Sequence, residues 1–423
     1  MSETLTEIPA RAPARPPSRR QQYRRRRIAV GAAALVVLAL VFYLPFSLLA
    51  PLSVAQRTVA AQPSLRAAAA QPAWPGFGAS AFGAVGYPEL LSVTGTSDAL
   101  PMASITKIIT ALVVLEAKPL TTGSDGPEVA FSASDRALYS KYLALRGTVK
   151  PMPAGASISE LEMLQVTLIA SANNYAEAVA DWAYGTEAAY VAATKTWLTA
   201  HGMTNTTVVE PTGINPANTS TATDLVTLGR LAMADPVISD IVDTPTLTLP
   251  EVGTITDTNQ LLGSEGVVGI KTGTLENIGS SLLFASRQKV GSSTVTIIGV
   301  VLGAADHDTL YPAVTSLLRS IASGFHEITL ATKGQEFAGY RTSWSARTSA
   351  VATRTAKVVV WSNTPVSSVV SAPDIRLAAR GEEAGEAVFT VGKNTITVPL
   401  AFSATTEDPG AGWRLLHPFG LGS

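Results

Sequence analysis

Ser104 and Lys107, in Ala103-Ser104-Ile105-Thr106-Lys107-Ile108-Ile109-Thr110, are the residues from which chemistry can be argued first. A hydroxyl and an amine three residues apart share one helix face, about one turn from each other. A serine hydroxyl is a poor nucleophile until a neighbouring base takes its proton, and lysine fills that role only when burial and nearby positive charge keep it neutral. The apolar run Leu112-Val113-Val114-Leu115 supplies such surroundings. A core helix is expected here, opened by Ser104, whose hydroxyl would lie near the unpaired N–H groups of the first turn. On its own the spacing is also that of an ordinary helix cap. A second copy, Ser286-Arg287-Gln288-Lys289, falls in what reads as an exposed turn between strands.

Two further motifs give the pair a context. Ser171-Ala172-Asn173 follows an apolar helical stretch over 161–170 and projects a hydroxyl and a carboxamide from a helix end or loop. Lys271-Thr272-Gly273-Thr274 lies on a predicted strand just before Leu275 and Glu276. One amine and two hydroxyls there suit an anionic carboxylate, and Gly273 would let a substrate backbone lie close against the strand. Met singly, the first would be a solvated helix terminus and the second a strand ending in a turn.

The elements that must position these groups come from the rest of the chain. With 423 residues, 46% hydrophobic and 15% charged, it can bury more than one core. A net charge of -1 argues against a nucleic-acid partner, and the absence of cysteine excludes disulfides, thiol catalysis and cysteine-ligated metals. Arg11, Arg15, Arg19, Arg20 and Arg24 to Arg27 precede an uncharged stretch over 28–50, long enough for a bilayer core of about 30 Å. The arginines place residues 1–27 in the cytoplasm and everything after the span outside. A retained anchor is preferred to a cleaved signal, for which Ser53 and Ala55 supply small residues. Residues 1–27 read as a disordered tail and 51–75 as an Ala-, Gln- and Pro-rich tether.

Residues 76–325 are expected to form the main domain. Short strands within 79–93 precede the Ser104 helix, a loop over 123–127, and helices over 159–183 and 187–200. Strands at 266–272, 281–285 and 294–301 come next, and a helix over 309–323 closes the domain. A helical cluster inserted between early and late strands of one sheet defines the α+β class, an antiparallel sheet flanked by helices. Residues 326–423 read as a small separate β domain, with strands at 358–362, 367–371, 387–391 and 395–402.

In order and spacing the three motifs match S-x-x-K, S-x-N and K-T-G. The chain resembles the D-alanyl-D-alanine carboxypeptidases of the low-molecular-mass penicillin-binding proteins, serine peptidases that trim peptidoglycan stem peptides. The resemblance runs from about Phe77 to Phe325. It is supported by Pro101-Met102-Ala103-Ser104, by Pro211-Thr212-Gly213-Ile214 with Asn218 and Ser220 to Asp224, and by Asp257-Thr258-Asn259-Gln260-Leu261-Leu262. It implies a β-lactamase/transpeptidase-like fold followed by a β domain, with no cofactor and no metal. Ser104 would attack the penultimate carbonyl of a terminal D-Ala-D-Ala with Lys107 as base. Ser171 would relay a proton to the leaving D-alanine, and Asn173 would bind the substrate amide. Lys271, Thr272 and Thr274 would hold the terminal carboxylate, and the backbone N–H groups of Ser104 and Thr274 would form the oxyanion hole. β-Lactams would acylate the same serine. Thr274 stands where many relatives carry a larger aromatic or imidazole side chain, 275–281 diverges from the family pattern, and the expected C-terminal amphipathic anchor is missing.

Other functions make distinct demands. A β-lactamase needs a carboxylate to activate water against the acyl-enzyme, and Glu210 is the candidate, although it runs into the carboxypeptidase-like Thr212-Gly213-Ile214-Asn215-Pro216. An endopeptidase would use the same constellation on cross-links, and a non-catalytic binder would keep the scaffold without turnover. A triad hydrolase needs a histidine, but His201, His307, His326 and His417 are scattered, read as surface residues, and accompany no G-x-S-x-G elbow. Asp306 and Asp308 beside His307 read as a solvated turn rather than as metal ligands.

Overall fold

The computed structural model describes residues 18–62 and 67–421. These divide into two compact units, one of residues 67–328 with 358–364, the other of 18–62, 329–357 and 365–421. All three motifs lie in the first.

That unit is built on a five-stranded antiparallel sheet in the order Val267–Leu275, Gly279–Val290, Ser293–Ala304, Ala79–Ala84, Tyr87–Gly95. The strand Ser293–Ala304 is a nearly unbroken aliphatic run because both of its faces are covered. Ile298, Val300 and Leu302 join Leu283 and Ala285 in one core cluster, while Val295, Ile297 and Val301 join Leu282 and Phe284 in another. Successive side chains point to opposite faces, so each strand serves both clusters.

The helices are α1 (Arg19–Leu49), α2 (Thr106–Ala117), α3 (Ala133–Ala144), α4 (Glu160–Leu168), α5 (Asn173–Tyr184), α6 (Glu187–Ala200), α7 (Ala222–Ala234), α8 (Pro236–Val242), α9 (His307–Ala322) and α10 (Gly410–Leu416). Helices α2 to α8 fall between the strands Tyr87–Gly95 and Val267–Leu275, as the inserted cluster. Ile108, Ile109, Leu112 and Val113 of α2 and Leu225 and Leu228 of α7 pack in the first core cluster. Leu310, Val314, Leu317 and Ile321 of α9, spaced at three and four residues, pack in the second.

The structure departs from the expected elements in several places. The helical segment over 159–183 consists of two helices, α4 and α5, and Ser171 lies between them at φ 57°, in the helix-end or loop position expected for it. Helix α3 begins with a capping box, Ser132 and Asp135 bonding reciprocally, but buries only Tyr142 and so carries no apolar stripe to mark it. The Ser286–Lys289 copy lies within a strand, not a turn; Ser286 is buried and its hydroxyl donates to the Glu265 carbonyl at 2.8 Å.

The other unit holds a six-stranded sheet in the order Gln56–Val59, Glu336–Arg341, Arg347–Ala352, Asn394–Phe402, Glu383–Val391, Val366–Ser371. Its first strand lies inside the stretch expected to be a tether: Gln56 to Val59 pair antiparallel with Arg341 to Ala338. Helix α1 also starts earlier than the apolar stretch alone suggests. A capping box at Ser18 and Gln21 opens it, so residues 19–27 are helical rather than disordered, arginine being a good helix former. Residues 1–17 of the expected tail lie outside the described residues. Helix α1 is long and apolar enough to cross a membrane.

Candidate active site

Ser104 occupies a 3-10 turn, Ala103–Ile105, directly ahead of α2. It does not cap the helix; no side-chain cap bond is made there. Its hydroxyl is therefore not spent on backbone. The turn is set by Ala103 at φ 49° and pinned by its neighbours. Thr106 Oγ1 donates to the Ala103 carbonyl at 2.8 Å, and the Met102 N–H donates to the Asn218 carbonyl at 3.0 Å. Gly213, at φ 79°, presses on the same carbonyl so closely that a Cβ would lie 1.9 Å from the Ala103 oxygen. Only glycine meets both demands.

Lys107 is fully buried. Its Nζ lies 2.9 Å from Ser104 Oγ, 2.5 Å from Asn173 Oδ1 and 2.6 Å from the Thr212 carbonyl oxygen. Burial holds its ammonium well below the usual lysine range, the charge of Lys271 pushes the same way, and Glu210 opposes both. A neutral amine has two N–H donors and one lone pair. Two of its three neighbours are carbonyl oxygens, which can only accept, so both N–H bonds are committed to them. In the neutral amine the third direction, toward Ser104 Oγ at 2.9 Å, carries the lone pair.

The carbonyl of Thr212 is held in place by Glu210, whose carboxylate is consumed by its own loop. It accepts from the N–H groups of Thr212 (2.7 Å), Gly213 (2.7 Å) and Asn215 (3.2 Å) and from Asn218 Nδ2 (2.8 Å). Thr110 Oγ1 ties the loop to α2 by donating to the Pro211 carbonyl at 2.7 Å. Glu210 is thus a clamp on the lysine's acceptor, an arrangement opposed to its use as a base for water. The Pro211–Ile214 pattern was visible in the sequence; that a carboxylate three residues before Gly213 would organise the turn was not.

On the sheet side, Lys271 is buried and its ammonium is pushed down to about 8 by burial, with Asp257 opposing. Asp257 is itself pushed up to about 6, chiefly by burial. Lys271 Nζ donates to Thr258 Oγ1 at 3.4 Å, and Thr258 Oγ1 shares a 2.6 Å hydrogen bond with Thr272 Oγ1. Gly273 also makes a close approach within the chain itself. A Cβ there would lie 2.6 Å from the Met102 carbonyl oxygen and 3.2 Å from Ala103 Cβ, so the glycine seats the strand against the serine's own turn. Thr274 Oγ1 is hydrogen-bonded to His307 Nε2 at 2.8 Å. His307, partly exposed and 33 residues on in the chain, reaches this strand only in the fold.

A cavity of about 340 Å³ is lined by Ser104, Asn173 and Thr274 together with Arg146, Gly147 and Glu276. Arg146 Nη1 lies 3.1 Å from both Glu276 carboxylate oxygens. Lys107 contacts both Ser104 and Asn173, Thr274 lines a cavity with Ser104 and Asn173, and Lys271 acts on Lys107 through its charge. Ser171, by contrast, is buried two residues ahead of Asn173 and makes no hydrogen bond to Ser104 or Lys107 among the described residues. Asp306 caps α9 by accepting the Thr309 N–H, and no group of three or more potential metal ligands occurs among the described residues.

A sheet with an inserted helical cluster, and a serine whose hydroxyl meets a buried lysine facing a second buried lysine on a strand, define a serine acyl-transferase of the β-lactamase/transpeptidase-like class. The peptidase S11 family, D-alanyl-D-alanine carboxypeptidase, matches residues 90–306, and the chain belongs to that family. It is a hydrolase with the family's penicillin-binding and cell-wall function. A D-alanyl-D-alanine endopeptidase of Pseudomonas aeruginosa is 32% identical over 234 residues, 53% of this chain and 70% of that protein. The D-alanyl-D-alanine carboxypeptidase DacC of Escherichia coli is 28% identical over 230 residues, 51% of this chain and 54% of that protein. Among solved structures, a peptidoglycan synthesis regulatory factor (PBP3) from Streptococcus pneumoniae superposes with a TM-score of 0.57 at 22% identity, covering 78% of this chain and 98% of that one, a likeness of fold.

Proposed function

We propose that the chain removes the terminal D-alanine from peptidoglycan stem peptides through an acyl-enzyme on Ser104. The carrying observation is the Lys107 amine, whose two N–H donors face carbonyl oxygens and whose third direction faces Ser104 Oγ. Ser104 Oγ attacks the penultimate D-Ala carbonyl while its proton passes to Lys107 Nζ. The backbone N–H groups of Ser104 and Thr274 receive the oxyanion, at roughly 3 kcal/mol per donor in comparable enzymes. The proton reaches the leaving amine through Ser171, the C–N bond breaks, and D-alanine departs. Water then gives a proton to Lys107 and attacks the acyl carbon, the C–Oγ ester bond breaks, and Lys107 returns the proton to Ser104 Oγ as the shortened peptide leaves. Lys271 with Thr272 and Thr274 binds the terminal carboxylate, Gly273 brings that strand against the nucleophile's turn, and Asn173 binds the substrate amide. A β-lactam enters the same path and stops at the acyl stage.

A second reading, cleavage of cross-links between stem peptides, is favoured by the Pseudomonas aeruginosa relative that carries the endopeptidase name. Helix α1 supports the reading that the protein is anchored by a single span with its catalytic unit outside the cytoplasm. Mass spectrometry of muropeptides treated with the purified protein tests the proposal. Loss of one D-alanine from pentapeptides is expected, abolished in Ser104→Ala. Cleaved dimers with intact pentapeptides would replace this reading by the second.

A further inference from the structure

The carboxylate-binding strand is braced from one side by the first turn of α9, which no part of the acyl-transfer scheme uses. His307, the first residue of α9, meets Thr274 Oγ1 through Nε2 at 2.8 Å. Tyr311, one turn on, lies beside the imidazole with ring centroids 5.3 Å apart, and its hydroxyl donates to the Thr258 carbonyl at 3.3 Å. Thr258 in turn holds Thr272 Oγ1 at 2.6 Å. Both hydroxyls of the Lys271–Thr274 strand are therefore tied, directly or through Thr258, to one helical turn.

The hydroxyl of Thr274 carries one proton, and the His307 contact decides where it points. If Nε2 bears hydrogen, the imidazole donates to Oγ1 and the threonine O–H is turned outward to donate elsewhere. If Nε2 is bare, the threonine donates to the ring and offers only lone pairs to the cavity that Thr274 shares with Ser104. A carboxylate is repelled by lone pairs and bound by an O–H. We infer that His307 is a positioning residue that presents the Thr274 O–H to the carboxylate of the substrate or β-lactam. This rests on the proposed function of the site.

The experiment compares purified wild type, His307→Ala and His307→Gln, the glutamine amide being an N–H donor without imidazole chemistry. The KM for a D-Ala-D-Ala peptide should rise roughly ten- to hundredfold in His307→Ala, the range of one charge-assisted hydrogen bond, with kcat within about twofold. His307→Gln should restore most of the loss. Acylation by benzylpenicillin, followed by intact mass, should slow in His307→Ala, whereas acylation by its methyl ester should not. A fall in kcat at unchanged KM, equal slowing for acid and ester, or a glutamine variant no better than alanine would overturn the inference while leaving the peptidase reading intact. If His307→Ala does not fold, His307→Gln against His307→Phe carries the same comparison, and equal KM for the two overturns it. A wild type that neither releases D-alanine nor is labelled by penicillin removes both readings.

Discussion

The two sides of the cleft each bury a lysine, yet they treat its charge differently. On the helical side, Lys107 is given two carbonyl oxygens and a hydroxyl, with the nearest opposing carboxylate, Glu210, already accepting four hydrogen bonds from its own loop. On the sheet side, Lys271 keeps Asp257 as a partner in charge and a threonine hydroxyl as an acceptor. Desolvation lowers both lysines. What differs is the compensation: the base side offers dipoles suited to a neutral amine, while the carboxylate side retains a counter-charge. One chemical group is thereby held in two environments, which match the base and anion-receptor roles proposed for Lys107 and Lys271.

The largest expected effect tests the base side alone. Lys107→Ala should cut the rate of acylation roughly 10²- to 10⁴-fold, the usual worth of a positioned general base. Lys107→Arg should fare no better, because a guanidinium stays charged and has no lone pair to accept the serine proton. Stopped-flow acylation with a fluorescent penicillin reads both variants. Activity within tenfold of wild type in either one would break the contrast, since Lys107 would then be structural.

The contrast was only partly legible in the sequence. Ser104, Lys107, Asn173, Lys271 and Thr274 carried their own signal through type, order and spacing, and the strand Ser293–Ala304 showed itself as a β-branched run, buried on both faces over most of its length. Contacts made by backbone atoms left no such mark. The Thr212 carbonyl that fixes the amine's orientation is chemically the same as any other carbonyl, and its placement follows from a turn that Glu210, Gly213 and Asn218 build together. Gly273 was legible as a close approach, but the approaching atom is the Met102 carbonyl of the chain itself. Helix α3 was missed because it is solvated on most of its surface, so no apolar periodicity could mark it. The Gln56–Val59 strand was missed because all four residues are exposed and its partner lies some 280 residues on.

A smaller effect should follow from loosening the clamp without touching the lysine. Glu210→Gln leaves one acceptor oxygen where four donors converge and turns an amide N–H₂ toward N–H groups. The buried loop should lose roughly 1–3 kcal/mol of stability, read by thermal unfolding. Acylation by penicillin should slow about tenfold as the Thr212 carbonyl moves away from Lys107. A deacylating base would behave otherwise: acylation would be untouched, stability little changed, and the acyl-enzyme would accumulate. That outcome would move the protein to the β-lactamases and erase the distinction between the two lysine environments.

The smallest effect is on the sheet side, and it is a matter of pH. With its folded-state value near 8, Lys271 loses its proton as pH rises through that point, and the attraction for the substrate carboxylate goes with it. If binding requires the charged form, KM should rise roughly tenfold between pH 7 and pH 9. The same rise in pH can only favour neutral Lys107, so kcat should hold or climb, and the two lysines separate into the two kinetic constants. Asp257→Asn removes the charge that opposes desolvation at Lys271. The KM limb should therefore begin at lower pH in that variant, while kcat at pH 7 stays close to wild type. Steady-state release of D-alanine across pH 6 to 9.5 decides the matter: a KM flat through pH 9, or a limb that Asp257→Asn leaves in place, would mean that the carboxylate is held by hydroxyls and backbone alone.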